Sequence, residues 1–349
     1  MKEVTNLILI GVIVVLGSYI LYDKAKAKGE LNTNARVVKV YPEGQKVFTF
    51  DVPSNLNFAG ERVPIENYDI KERYDREIHI NTYWHSSTLF MIKRANRWFP
   101  VIEPILQKNG VPNDFKYLAL IESSLTNAIS PANAVGFWQL LKATAKERGL
   151  EVSSEVDERY HPVKSTEAAC RYLLRAYEKF GNWTNVAASY NMGVAGLTRR
   201  LNEQKVTSYY DLLLNEETSR YVFRALALKE IMENPGKYGY EIPSEHLYAN
   251  FPIKEVKVTS TISNLVDFSN SLGINYKTLK LYNPWLRKQR LSVRRGKFYI
   301  ISLPHTVSDE LIAEINRKGE KGNNGSYNNG QTDEETYVRN FEDFQTQPQ

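Results

Sequence analysis

The chain has 349 residues, is 42% hydrophobic and 24% charged, and carries a net charge of +5. That length and composition fit two globular domains with tails. The basic residues are scattered, with no stripe of interleaved aromatics, so nucleic-acid binding is excluded as a reading. A single cysteine excludes an intrachain disulfide, and the five histidines are dispersed without metal-ligand spacing, so no metal and no cofactor is assigned.

Asn6 to Tyr22 is about 17 residues without a charge, at the short edge of a membrane-spanning helix. Asp23, Lys24, Lys26 and Lys28 follow at once. Residues 1–28 are therefore a membrane anchor or a signal segment. The charges around Ala25-Lys26-Ala27 make it a poor cleavage site, which favours the anchor. No cysteine follows the apolar run, so a lipoprotein is excluded.

Residues 29–95 read as a stalk and an N-terminal wrap. The part from 51 to 95 is rich in Pro, Asn, Tyr and charge, and leads into helices near residues 66 to 100. Its phrase Phe58-Ala59-Gly60-Glu61 carries no motif that chemistry assigns.

Residues 96–240 are strongly helical. A helix near Trp98 to Lys108 stops at Gly110. The next runs from Pro112, with Asn113 or Asp114 expected as its cap, to Glu122. Phe115, Leu118 and Ala119 precede Glu122 by seven, four and three positions and share its face. A carboxylate on that apolar face loses hydration, its pKa should rise, and a protonated acid at neutral pH suits general-acid chemistry. The bland alternative is a Glu at a frayed helix end. Further helices span Lys142 to Arg148, Thr166 to Phe180, Asn185 to Tyr190 and Thr218 to Met232, with Gly149, Gly181 and Pro235-Gly236 as stops. Cys170 lies in an apolar helical pattern and reads as a buried structural thiol. Trp138 and Trp183 read as core.

After Glu122 come Ser123 and Ser124, then a loop of Ser130, Pro131 and small residues. Gly136 permits close backbone approach, and Gln139 can donate to and accept from a polar ligand. Ser189-Tyr190-Asn191-Met192-Gly193 follows, then Glu217-Thr218-Ser219-Arg220-Tyr221, where Glu217 and Tyr221 share a helical face. Glu217 also reads as an acidic residue favourable to a helix N-terminus.

From 252 to 304 the texture changes. Lys254 to Thr259 and Lys297 to Leu303 read as strands. Leu265, Phe268 and Leu272 mark one short helix, and Thr278 to Tyr282 a second. That is a βααβ unit. Residues 317–349 are Gly-, Asn- and Gln-rich and are expected to be disordered.

The motifs in this order resemble the lytic transglycosylase domain of the soluble-transglycosylase (SLT) type. They are Glu122-Ser123, Ser130, Gly136 to Gln139, Ser189 to Gly193, and Glu217 to Tyr221, and they cover about 110 residues. Gly-Phe-Trp-Gln and the run Asp157-Glu158-Arg159-Tyr160 are similar to the membrane-bound transglycosylase D subgroup. Ser189 and Leu141-Lys142 depart from the family pattern. The unit at 252–304 resembles a LysM module, with Thr259-Ser260-Thr261 where a Gly-Asp-Thr turn is expected.

The resemblance implies a mainly α fold: a lysozyme-like helical catalytic domain followed by a small βααβ domain. It implies cleavage of the bond between N-acetylmuramic acid and N-acetylglucosamine in peptidoglycan, with a 1,6-anhydro ring formed. Glu122 would be the only acid and base. Ser130, Gln139, Tyr190 and Asn191 would line the sugar cleft, with Glu217 and Tyr221 orienting the site. The implied partner is the glycan strand. The implied place is the bacterial cell envelope, on the periplasmic side, anchored in the inner membrane by residues 6–22. A goose-type lysozyme hydrolase and an inactive wall-binding protein are the alternatives.

Overall fold

The computed structural model describes residues 47–321. The chain divides into two units, Met1–Thr49 and Phe50–Gln349, and the architecture here is that of the second. The apolar run 6–22 and most of the tail lie outside the described residues. Among the described residues, no helix is long and apolar enough to cross a membrane.

The fold begins with a hairpin in which β1 (Asn57–Phe58) pairs antiparallel with β2 (Glu61–Arg62). Ala59 and Gly60 both take positive φ, 54° and 80°, the two-residue turn that suits the twist of paired strands. Then come α1 (Tyr68–Tyr83), α2 (His85–Lys108), α3 (Lys116–Ser123), α4 (Lys142–Glu147), α5 (Pro162–Phe180), α6 (Trp183–Met192), α7 (Val194–Gln204) and α8 (Glu216–Glu233). α8 is the axis of the domain. Tyr221, Val222, Phe223, Leu226, Leu228 and Ile231 are buried on several of its faces, the pattern of a helix enclosed by others. α1 packs along it, and the Arg220 guanidinium bonds the buried carboxylate of Glu77 at 2.5 Å.

One hydrophobic core runs from Leu56 to Tyr240, so the segment 51–95 packs in the same interior as the helices after it. Phe58, Phe115, Leu118 and Trp138 are fully enclosed there. Burying each such side chain contributes about 2 kcal/mol.

Several helices differ from the sequence reading. Neither Asn113 nor Asp114 caps α3; Asn113–Phe115 forms a 3-10 turn ahead of it. Asp114 instead accepts from the Ala59 N–H at 2.7 Å and pairs with Lys229 Nζ at 2.6 Å, so long-range partners outcompete the local cap. The expected disorder from residue 317 also needs correction, because a helix, α11 (Asp309–Lys321), crosses that boundary. Its Leu311, Ile312 and Ile315 form an apolar face that packs on the C-terminal domain. Polar flanking composition masked that face. α7 was also unread, although Leu197 is fully buried on it.

The C-terminal domain is β3 (Ile253–Val258), α9 (Leu265–Ser271), α10 (Tyr276–Tyr282) and β4 (Tyr299–Pro304). The strands pair antiparallel from Ile253 opposite Pro304 to Val258 opposite Tyr299. Buried Asn283 clips α10 to β4: its amide donates to Ser302 O at 2.6 Å and accepts from Ser302 N at 2.8 Å. The core of this domain, built on Val256, Leu265, Leu279, Leu286 and Ile301, also takes in Val135, Val156 and Tyr160 from the helical domain.

Candidate active site

Glu122 sits in the last turn of α3, one residue before the helix ends. Ser124 stops the helix in the left-handed conformation at φ 52°, and Arg94 Nε holds the Ser124 carbonyl at 2.6 Å. Glu122 is half-buried, and Tyr221 of α8 donates its hydroxyl to Glu122 Oε1 at 2.6 Å. Burial pushes the Glu122 pKa up to about 7. The Tyr221 hydrogen bond and the Arg224 charge pull it down, and the Glu217 charge adds to the rise. Burial therefore outweighs the partners that favour the anion. Tyr221 titrates well above a free tyrosine, first because it is buried and next because Glu122 is close, so it remains a donor at neutral pH.

Tyr190 shares this environment. Burial and then the Glu122 charge raise its pKa well above the usual range. Its hydroxyl donates to Trp138 O at 2.6 Å, and its ring meets Tyr172 edge-on at 5.3 Å. Glu122, Tyr190 and Tyr221 thus converge from α3, α6 and α8. Asn191, beside Tyr190, faces the start of α8. Its Nδ2 donates to Glu217 Oε1 at 3.2 Å, and its Oδ1 accepts from Thr218 Oγ1 at 2.8 Å. Glu217 is exposed and in the first turn of α8, so the two readings given for it, site residue and helix-end charge, describe the same position.

Ser130 and Gln139 belong to one loop, 128–140, folded as a tight antiparallel turn. Ile129 faces Val135, and Val135 faces Leu140. Ser130 Oγ accepts from the Ala134 N–H at 3.0 Å, while Gln139 Nε2 donates to Gly136 O at 2.8 Å and Ala128 O at 3.1 Å. Both side chains brace the loop from inside. The loop is tied to the Glu122 helix by Ser123 Oγ, which donates to Phe137 O at 2.9 Å, and to α6 by the Tyr190 bond to Trp138 O. Gly136 permits a close approach by backbone: a Cβ there would lie 2.0 Å from the Arg159 carbonyl oxygen.

Three contributors escaped the sequence reading. Arg224 follows Tyr221 by three positions on α8, a helical spacing that could have flagged it. Arg94 lies far upstream with no such signal. Glu61, in the unassigned hairpin, accepts from the Trp183 N–H at 2.5 Å, the Thr184 N–H at 2.9 Å and Thr184 Oγ1 at 2.7 Å. It thereby caps the helix that carries Tyr190 and Asn191, with its charge at the favourable end of the dipole. Trp138 and Cys170 are enclosed in the core; Trp183 is partly buried, stacked on Tyr177 at 4.1 Å. Among the described residues, no group of three or more His, Cys, Asp or Glu side chains could hold a metal.

The helical domain, with half-buried Glu122 bonded to Tyr221 between α3 and α8, is similar to lysozyme-like domains of the SLT class, and the βααβ domain after it is similar to LysM modules. Residues 99–212 match the family described as Transglycosylase SLT domain, and residues 254–307 match the Soluble lytic transglycosylase C-terminal LysM-like domain. The chain is similar to the membrane-bound lytic murein transglycosylase D of Escherichia coli (strain K12), at 27% identity over 263 residues, covering 73% of this chain and 56% of that protein. The protein of the same name from Escherichia coli O6:H1 (strain CFT073) matches with the same figures. The chain thus spans about half the length of these curated relatives.

Proposed function

We propose that the chain is a peptidoglycan lytic transglycosylase with Glu122 as its only acid and base. The observation that carries the reading is the half-buried Glu122 carboxyl, with a pKa of about 7 and a phenol donor fixed on it at 2.6 Å. Such a group is substantially protonated at neutral pH and can also serve as a base. Protonated Glu122 gives its proton to the glycosidic oxygen between N-acetylmuramic acid and N-acetylglucosamine. As that C1–O bond breaks, the carboxylate takes the proton of the muramic C6 hydroxyl, and O6 bonds to C1. The ring closes as a 1,6-anhydro sugar, Glu122 regains its proton, and no water is consumed. This departs from the two-carboxylate scheme of most glycosidases.

In the same proposal, Tyr221 orients the carboxyl, and Asn191 with Glu217 shapes the adjoining wall of the cleft. Ser130, Gln139 and Tyr190 hold the 128–140 loop against it. The setting is the bacterial cell envelope, on its periplasmic side, with residues 6–22 as an inner-membrane tether. The membrane-bound murein enzymes named above support this placement, and the LysM-like match supports a glycan-binding role for 252–304.

One observation favours a second reading. The Glu217 charge reaches Glu122, and an exposed second carboxylate could position water as in a goose-type lysozyme. Mass spectrometry of peptidoglycan digests separates the readings. Anhydro-muropeptides from the wild type but not from Glu122→Gln support the transglycosylase. Reducing-end products identify a hydrolase, and no products from a folded chain identify a binding protein.

A further inference from the structure

Arg159 is 7% exposed and lies on the short segment 151–160 between α4 and α5. Asp157 grips it with both carboxylate oxygens, at 2.9 Å to Nε and 2.8 Å to Nη2. That fork-to-fork pairing fixes the guanidinium plane and leaves Nη1 to point at the 128–140 loop. There Nη1 donates to Asn133 O at 3.0 Å and Leu140 O at 3.1 Å. The two carbonyls lie on opposite arms of the loop, one just beyond Ser130 and the other directly after Gln139. The Arg159 carbonyl meanwhile fills the space that any side chain at position 136 would need.

The same segment is held from its other side by the C-terminal domain. The Asp157 N–H donates to Trp285 O at 2.9 Å, and the Arg287 N–H donates to Glu155 O at 2.7 Å. The Glu155 carboxylate accepts from the Ser292 N–H at 2.7 Å. The Arg287 guanidinium lies 4.0 Å above the Tyr160 ring. A continuous set of bonded groups therefore runs from the 285–292 turn through Asp157 and Arg159 to the loop, and on through Phe137 O to the residue beside Glu122.

We propose that Arg159 is a positioning residue for the cleft, and that the LysM-like domain, by gripping residues 155–157, sets where Arg159 holds the 128–140 loop. The proposal rests on the functional reading above. It gives the C-terminal domain a task besides glycan binding: without its grip, the loop tied to the Glu122 helix through Ser123 loses its outer support.

The test uses the full chain with Arg159→Lys and, for a milder change at the far end of the set, Glu155→Ala. Hydrogen exchange is followed at the Val135, Gly136 and Leu140 amides, and kcat and KM are measured on purified peptidoglycan. Lysine keeps the charge but cannot span Asp157 and two carbonyls at once. We expect faster exchange at those amides with α8 protection unchanged, and a fall in kcat on the order of tenfold to a hundredfold with little change in KM. Glu155→Ala gives the same pattern more weakly. Unchanged exchange in Arg159→Lys, or a loosened loop with wild-type kcat, overturns the proposal. A wild type that cleaves nothing refutes the functional reading instead, and the exchange arm still decides whether Arg159 holds the loop.

Discussion

Tyr221 and Glu122 lie 99 positions apart in the chain and meet at 2.6 Å, phenol to carboxylate, across the contact between α8 and α3. The bond favours the charged form of Glu122, so it holds the pKa below what burial alone would impose. Tyr221→Phe removes the donor and keeps the packing. The Glu122 pKa then rises, and the basic limb of the pH–rate profile moves to higher pH. Product yield against pH for the two enzymes checks this; a limb that moves down, or stays, counts against the assigned role.

Glu217→Gln has the opposite sign. Its charge helps to keep Glu122 protonated, and the amide can still accept from Asn191 Nδ2. The Glu122 pKa falls, and the basic limb moves to lower pH. Measuring both variants in one buffer series makes the pair of opposite shifts the observable, which a general loss of folding could not mimic.

Glu122→Gln tests the same residue through stability. A carboxyl whose folded pKa is raised from 4.5 to about 7 favours the fold while protonated. That contribution is present below about pH 4.5 and is lost as pH climbs towards 7. The neutral amide is exempt from the loss. Glu122→Gln is therefore expected to gain on the wild type as pH rises from 5 to 8, by at most about 3 kcal/mol. Denaturant melts at the two pH values measure the difference, and a gap that is constant with pH refutes it.

Glu61→Ala removes three hydrogen bonds from the first turn of α6. Loss of a helix cap costs about 1 kcal/mol, and orphaned amides raise that to about 2 kcal/mol. The melting temperature should fall by several degrees. Because α6 carries Tyr190 and Asn191, exchange at its first amides should rise as well. Glu61→Gln, which keeps the acceptor but not the charge, should recover part of the loss.

Gly136→Ala is expected to be far more damaging than its size suggests. The added carbon meets the Arg159 carbonyl carbon and oxygen, both backbone atoms, and φ is +80°. Overpacking and left-handed strain together cost about 3 kcal/mol or more. Expression level and melting temperature report the outcome; a wild-type melt would show that the two segments separate easily.

What the sequence made legible was periodic or local. The apolar face at Phe115, Leu118 and Ala119 pointed to the environment of Glu122, and the βααβ strands were read within two residues of their bounds. The resemblance placed Gln139, Ser130, Tyr190 and Tyr221 around one cleft; in the structure Tyr190 bonds Trp138 O of the Gln139 loop, and Tyr221 bonds Glu122. Illegible were the contacts of high sequence separation. Asp114 left its local cap for Lys229, 115 positions away, and Glu61 reached Thr184, 123 positions away. No periodicity marks such pairs, because each depends on where two distant elements cross. Ser130 and Gln139 show the same limit from another side: their polar groups were assigned to a ligand, whereas here they satisfy the backbone of their own loop.

The hydrophobic interior built on Leu286 and Ile301 includes Val135, Val156 and Tyr160, which belong to the segment matched by the other family. Sequence families and folding units therefore do not share a boundary in this protein. Truncation near residue 252 would bare an apolar patch on the remaining domain and invite aggregation. Heating the intact chain should melt the two family segments in one calorimetric transition rather than two.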